Sequence, residues 1–220
     1  MAGERCKAGM KRVTFYYVRH GRTEFNRDGI IQGGRVDAPL VRESIPAIEA
    51  TARALAPISL SRCYSSPLGR AVETARIVTS GRDLEVKPLD DLREFDFGDL
   101  DGKPYAGNRL KFARCFVRQD FSPYGGEEGE QVRERVRRAF AHMYGQASDG
   151  DNVLVVCHGA FFRYVLLEYY PASRLRRKLM SETIKTPNAG IAVIVGESGR
   201  FTLAELPVTA ERFAERHPSR

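Results

Sequence analysis

The residues that follow the first apolar run of the chain have the types needed to bind and attack a phosphoryl group. The run VTFYYV (13–18) has the composition of a strand and leads directly into Arg19 and His20. Arg19 offers a planar fork of donors suited to phosphate oxygens, and His20 offers a nucleophilic ring nitrogen. Gly21 would let the backbone approach a ligand, and Thr23 and Asn26 add polar contacts. The sequence here predicts a phosphate pocket that contains a nucleophile.

A second apolar run, VLVVC (153–157), also ends in a His-Gly pair, His158 and Gly159. A helical run follows, so a helix N-terminus beside His158 would direct free N–H groups at an anion. Arg70 stands in the first turn of a helix that follows a third strand-like run, RCYS (62–65). We expect Arg70 to be a further cation of the same pocket.

An acidic loop, LREFDFGDLDG (92–102), interrupts the basic trend of the chain. Phosphoryl transfer to or from an alkoxide needs a proton, and a carboxyl group near the pocket is a natural general acid. Glu94 is the candidate. The neighbouring carboxylates of the loop are alternatives for the acid, or plain surface charge: Asp91, Asp96, Asp99 and Asp101.

Strand-like runs alternate with helical spacing along the chain, which predicts an α/β fold with a mostly parallel central sheet and helices on both faces, a three-layer α/β/α sandwich. The predicted strands are 13–18, 62–65, 153–157, 190–195 and 200–206, and the predicted helices are 43–56, 67–80, 105–118, 128–146 and 159–170. Ser66 is expected to cap the helix over 67–80, with Pro67 at its first position and Gly81 at its end. We expect a single domain over 1–220, with 101–126 as a small inserted flap that covers the substrate.

Composition narrows the function classes. The net charge of +7 and pI near 9.4 fit small anionic substrates, nucleic acid or an anionic membrane surface. The basic stretches 133–140 and 173–185 lack interleaved aromatic residues, so we expect solvated helical faces and no nucleic-acid partner. No apolar run approaches the roughly 18 residues of a membrane span, and the four cysteines lack zinc or disulfide spacing. These features predict a cytoplasmic protein with no membrane partner. They do not indicate which oligomeric state the protein has.

The ordered motifs resemble those of the histidine phosphatase superfamily, also called the phosphoglycerate mutase-like family, from about Phe15 to Val195. They are R-H-G-x-T-x-x-N, S-S-P-L-x-R-A-x-x-T-A, L-x-E-x-x-F-G-x-x-x-G, G-G-E and C-H-G, in that order. The resemblance implies that His20 is the phosphorylated nucleophile and that Glu94 is general acid and then base. It implies that Arg19, Arg70 and His158 bind the transferring phosphoryl group, with Asn26 as an auxiliary ligand. It also implies no metal and no organic cofactor.

The chain departs from the usual pattern of this family at two places. Gln32 is a candidate substrate-binding residue, together with Gly21, Thr23, Asn26 and Gly159. The spacing from Gln32 to the Asp-x-Pro-Leu stretch is one residue longer, so either Gly34 replaces the usual glycine and Gln32 is displaced, or the loop bulges. Glu128 follows Glu127 where serine is frequent, which should weaken a helix cap; Glu127 itself is interpreted as structural.

Three functions compete at this point: a phosphatase, a phosphoglycerate mutase and a catalytically silent module that binds phosphorylated ligands. The mutases of this family usually carry an insertion with an adjacent Arg-Arg pair between the positions of Glu94 and His158. Here Arg133, Arg135, Arg137 and Arg138 fall on a predicted helix and are interpreted as a solvated face, while 101–126 offers cations but no paired clamp. The sequence therefore favours a phosphatase that acts through a phosphohistidine on small phosphorylated metabolites. The candidate ligands for a second anionic group are Lys103, Arg109, Lys111, Arg114 and Arg118.

Overall fold

The computed structural model describes residues 11–171 and 186–218. The strands are β1 (Arg12–Arg19), β2 (Arg62–Ser65), β3 (Val86–Pro88), β4 (Asn152–Cys157), β5 (Ile191–Glu197) and β6 (Arg200–Val208). They form one six-stranded sheet in the order β3-β2-β4-β1-β5-β6. The first four strands in this order run parallel, and β5 is antiparallel to both of its neighbours. The mostly parallel α/β sheet predicted from the sequence is confirmed.

Both faces of the sheet are covered, because consecutive residues of β4 belong to different hydrophobic clusters. Val153 and Val155 pack in one cluster, and Leu154 and Val156 pack in the other. The helices are α1 (Glu24–Asp28), α2 (Ile45–Ala54), α3 (Gly69–Val78), α4 (Tyr105–Arg118), α5 (Gly129–Gln146), α6 (Gly159–Tyr169) and α7 (Ala210–Arg216). Helices α5 and α6 pack on the first face, and α2, α3 and α7 pack on the second.

Every strand and helix predicted from the sequence is present, with end points that shift by a few residues. The short elements β3, α1 and α7 were not predicted. β3 has three residues, is mostly exposed and pairs with β2 alone among the described strands, so it carries no alternating pattern to detect.

The predicted start of α3 is wrong by two residues. Ser66 does not cap this helix, because its amide still bonds the Val156 carbonyl at the edge of the sheet (2.9 Å) and its hydroxyl accepts the Leu68 amide (3.3 Å). The helix begins at Gly69 with Leu68 as its N-cap. At the start of α5, the amide of Glu128 donates to the side chain of Gln131 (2.8 Å), so this end of the helix is bonded without a serine.

The basic stretch 173–185, which the sequence predicts to be a solvated helical face, lies outside the described residues. Among the residues the structure describes, no helix is both long enough and apolar enough to cross a membrane.

Candidate active site

The sheet brings the two His-Gly motifs together at one edge. β1 and β4 are parallel neighbours in which Arg19 pairs with Cys157, so His20 and His158 leave the sheet side by side. The His20 amide bonds the Cys157 carbonyl (2.9 Å), and the two imidazole rings lie 5.2 Å apart between centroids. Both side chains are buried. Each histidine therefore follows the end of a strand, as predicted, and the two form one shared site.

Arg70 reaches the same site from the next strand. β2 pairs with β4 on the side opposite β1, and α3 starts shortly after β2 ends. The guanidinium of Arg70 is buried and donates to the carbonyls of Val36 (3.0 Å) and Gly33 (3.1 Å) and to the carboxylate of Asp37 (2.8 Å). Asp37 was not predicted as a partner, although it belongs to the Asp-x-Pro-Leu stretch.

The tautomer of His20 is fixed by its own backbone neighbour. Nδ1 lies 2.7 Å from the Gly21 carbonyl, which can only accept, so Nδ1 carries the proton and Nε2 keeps a free electron pair. Gly21 is itself held, because its amide donates to Thr74 Oγ1 (3.0 Å) and an added Cβ would lie 2.5 Å from Ile48 Cδ1. Gly21 thus supports His20 from behind, whereas the sequence had suggested close contact with a ligand.

Both imidazoles are held in the neutral form. Burial lowers the pKa of His20 well below its usual value, and the positive charges of Arg70 and then Arg19 lower it further. Burial and the same two arginines also lower the pKa of His158. A neutral His20 with a free Nε2 is the form that can act as a nucleophile.

Four buried nitrogens of this cluster have no hydrogen-bond partner among residues 11–171 and 186–218. They are Nε of Arg19, Nε of Arg70, and both ring nitrogens of His158. Buried polar atoms are nearly always bonded, so unpaired nitrogens gathered around His20 fit an anionic ligand. Arg19 also packs on Gly159, where an added Cβ would lie 3.1 Å from Nε, and its terminal nitrogen donates to the Thr186 carbonyl (2.6 Å).

The start of α6 binds a carboxylate of the protein. Oε1 of Glu94 accepts the amides of Phe161 (2.7 Å) and Phe95 (2.9 Å), and Oε2 accepts the amide of Ala160 (3.1 Å). The prediction that this helix end offers its free amides to the substrate is therefore wrong for Ala160 and Phe161, because Glu94 already fills that position. Oε2 has a single long bond and is the oxygen with room for a proton.

Burial also sets the protonation of Glu94. It raises the pKa of this carboxyl group, while the three backbone amides and the Arg70 charge oppose the rise. The other carboxylates of the loop either bond to other groups of the protein or are exposed to solvent. Asp91 pairs with Arg138, Asp96 pairs with Arg35, Asp101 accepts the amides of Gly33 and Arg35, and Asp99 is exposed.

One arginine of α5 is not part of a solvated face, contrary to the sequence interpretation. Arg135 makes a two-point ion pair with Glu127 (2.9 and 2.8 Å), and Glu127 accepts the amide of Asp96 (2.9 Å). The same guanidinium donates to the carbonyls of Asp91 (3.1 Å) and Arg93 (2.7 Å). The pair therefore holds the loop on both sides of Glu94, which agrees with a structural role for Glu127.

A cavity of about 480 Å³ opens beside His20 and Glu94, and the predicted residues Asn26, Gln32 and Gly159 line it. Gln32 is thus at the site despite the longer spacing of its loop. Its Oε1 accepts the hydroxyl of Thr23 (2.7 Å), and its buried Nε2 has no partner in the described part of the chain. Thr23 is fully buried and caps α1 by accepting the Asn26 amide (3.2 Å), so it positions Asn26 and Gln32 without lining the cavity itself.

Part of the site was missed by sequence reasoning. Asn188 donates to the His20 carbonyl (3.0 Å), and apolar side chains of α4 line the cavity: Tyr105, Phe112 and Phe116. Their spacing along a helix was visible in the sequence, but the side they face was not. Within the described residues, no group of three or more His, Cys, Asp or Glu side chains is placed to hold a metal ion.

A buried neutral histidine beside two arginines, at the carboxyl ends of parallel strands, is an arrangement suited to phosphoryl transfer. Residues 15–209 match the histidine phosphatase superfamily (branch 1). The chain belongs to this superfamily, and the family predicted from the motifs is confirmed.

Two relatives by sequence and one solved structure illustrate what this chain is similar to. The chain is 32% identical to fructose-2,6-bisphosphatase TIGAR B of Danio rerio over 66% of this chain and 70% of that protein. It is 32% identical to phosphoglycerate mutase-like protein 4 of Arabidopsis thaliana over 76% and 75% of the two chains. A phosphoglycerate mutase from Bacillus anthracis has the same fold, with a TM-score of 0.75 at 26% identity over 94% of this chain and 97% of that one. The chain spans between half and 70% of the length of the first curated relatives.

Proposed function

We propose that this chain is a phosphatase that hydrolyses phosphomonoesters of small metabolites through a covalent phosphohistidine on His20. The observation that carries the proposal is the state of His20. Its Nδ1 is bonded to Gly21, and its Nε2 has no partner among the described residues. It lies against His158, and the Nε atoms of Arg19 and Arg70 are unpaired within the same residues. The phosphatase name of the TIGAR relative supports the same reaction class.

In the first step, the Nε2 electron pair of His20 attacks phosphorus and the bond from phosphorus to the ester oxygen breaks. Negative charge spreads over the three equatorial oxygens, where fixed donors stabilise it without reorganising. Arg19, Arg70 and His158 have the unpaired nitrogens for this task. The proton on Oε2 of Glu94 passes to the departing alkoxide, so the alcohol leaves neutral.

In the second step, water attacks the phosphohistidine and the bond between nitrogen and phosphorus breaks. Glu94, now a carboxylate, takes a proton from that water, and His20 recovers its electron pair. The two steps leave His20 and Glu94 as they began and release inorganic phosphate. In this scheme the positive charge comes from Arg19 and Arg70.

A mutase is the second candidate, because a solved structure with the same fold is a phosphoglycerate mutase. In that reaction the phosphoryl group would return to a second hydroxyl of a retained phosphoglycerate in place of water. Such retention needs cations for the carboxylate, and Arg19 is the one arginine or lysine among the described residues that line the cavity. This observation favours water as the acceptor.

The two reactions separate in one assay. Sugar phosphates, nucleotides, phosphoglycerates and nitrophenyl phosphate are supplied in turn, with phosphate release and phosphoglycerate interconversion measured in parallel. Phosphate release from several monoesters, with interconversion much slower, is the expected result. Interconversion much faster than phosphate release would overturn the phosphatase proposal in favour of the mutase.

A further inference from the structure

The cavity has two chemically different ends. One end carries His20, Glu94 and Arg19, and the other lies beside α4, where the Phe97 ring packs against Phe112. A cavity of about 480 Å³ exceeds what a phosphoryl group alone would fill. The apolar end therefore faces the alcohol part of the ester.

Helix α4 contributes a set of aromatic rings to this end, at positions 105, 112 and 116. The Phe112 ring lies 5.7 Å from Phe116 in a stacked arrangement and 5.7 Å from Tyr105 edge to face. Phe112 also packs against Phe97 at 4.9 Å. Each of these rings is therefore held by another ring, and together they form a fixed aromatic wall, which we call the α4 wall: Tyr105, Phe112 and Phe116.

The cations of α4 and the preceding Lys103 do not line the cavity. The residues proposed from the sequence as ligands for a second anion are all exposed, and none of them is among the described residues that line the cavity: Lys103, Arg109, Lys111, Arg114 and Arg118. Arg163 is a cation beside the wall, but it lies outside the described lining and its guanidinium stacks on the Phe116 ring, 4.3 Å from the centroid. A second phosphate or a carboxylate at the apolar end would therefore lose hydration without gaining a charged partner from the described lining. The described lining thus suits one phosphoryl group and one uncharged apolar group.

We propose that the substrate is a phosphomonoester with a single phosphoryl group whose alcohol carries an aromatic ring, and that this ring packs on the α4 wall. The inference rests on the proposed phosphatase function and adds the class of substrate. It differs from the bisphosphate named for the TIGAR relatives, because it places no second anionic group in the cavity. Gln32 also lines the cavity, and its Nε2, which has no partner among the described residues, would donate to an oxygen of the substrate near the ester.

A matched series of esters tests this class, because each member releases an alkoxide and so makes the same demand on Glu94. We expect kcat/KM for benzyl phosphate to exceed that for glycerol phosphate by about 10- to 100-fold, the effect of burying one phenyl ring. Benzyl phosphate should also exceed cyclohexylmethyl phosphate by about 3- to 10-fold, because rings stack on the wall. Fructose 2,6-bisphosphate should be the poorer substrate.

Variants of the wall locate the effect. Phe112→Leu keeps the apolar volume without the ring and should lower the benzyl to cyclohexylmethyl ratio toward one. Leu110→Ala is the matched control, since this α4 side chain is 83% exposed and should leave the ratio unchanged. The thermal midpoints of both variants check that they fold.

The outcomes separate the two proposals. If glycerol phosphate or the bisphosphate equals or exceeds benzyl phosphate while phosphate still labels His20, the aromatic class is wrong and the phosphatase proposal stands. Equal rates for the benzyl and cyclohexylmethyl esters would also overturn the aromatic class. If no ester is hydrolysed and His20 is not labelled, both proposals fall together.

Discussion

Replacing Arg135 with methionine should destabilise the protein and impair proton transfer by Glu94. The guanidinium makes four hydrogen bonds, two to Glu127 and one each to the carbonyls of Asp91 and Arg93. Methionine keeps an apolar stem but removes the guanidinium, whose carbon lies 5.6 Å over the Phe161 ring, and leaves the Glu127 carboxylate and two carbonyls without this partner. The loop that carries Glu94 would then be held on one side by fewer bonds.

The expected loss of stability depends on how far the ion pair is exposed to solvent. The side chains of Arg135 and Glu127 are 13% and 22% exposed, so the pair is largely removed from water. Breaking a buried pair costs about 3–5 kcal/mol, and the partial exposure of Glu127 reduces this to about 2–4 kcal/mol. Arg137 on the same helix is the control, because half of its side chain is exposed (48%); of its two partners, Glu130 is 60% exposed and Glu168 is 18% exposed. Such exposed pairs contribute about 0.2–1 kcal/mol.

Urea unfolding of Arg135→Met and Arg137→Met at one pH and salt concentration measures both effects. Loss of positioning is read separately: kcat/KM for glycerol phosphate should fall more than for nitrophenyl phosphate, by up to about 10²-fold for a carboxyl group displaced by 1 Å. Equal losses of stability in the two variants, together with an unchanged preference between the two esters, would refute the reasoning.

Three further predictions concern the site itself. Glu94→Gln should lower kcat/KM for the hydrolysis of glycerol phosphate by about 10²–10⁴-fold and that of nitrophenyl phosphate far less, because only the alkoxide leaving group needs a proton. Equal losses in kcat/KM would mean that Glu94 only positions the substrate. Because the pKa of His158 is lowered in the folded state, the unfolded chain takes up the proton first, and this residue's share of the free energy of unfolding falls as pH drops below about 6.5, by up to about 1.4 kcal/mol per pH unit. Urea unfolding at pH 7 and pH 5 should therefore show a smaller loss in His158→Asn than in the parent, and equal losses would contradict it. Gly159→Ala should raise KM by pressing on Arg19, whereas Gly145→Ala, with open space around it, should leave KM unchanged.

The parts of the site that follow strands could be predicted from the sequence. Arg19, His20 and His158 are placed by β1 and β4 themselves, and Arg70 follows from the start of a helix next to β2. Parallel strands end at one edge of a sheet, so local patterns were enough to bring these side chains together.

Contacts between distant segments could not be predicted in this way. Arg135 meets carbonyls more than 40 residues away, and its neighbours on α5 have the same residue type and look equivalent in the sequence. The aromatic spacing of α4 was readable, but its orientation depends on packing against Phe97. Glu94 was singled out by its family motif, and its bonds to the start of α6 required the folded chain.

The central claim is that the phosphoryl group passes through His20. The most direct measurement is rapid alkaline quenching of the protein with a labelled phosphomonoester, followed by mapping of the labelled peptide. His20→Ala should abolish labelling and turnover, while His142→Ala, at an exposed histidine of α5, should keep both. A label on His20 that survives base and is lost in acid is the predicted result. A label that is stable in acid and lost in base, or one that persists in His20→Ala, would contradict it.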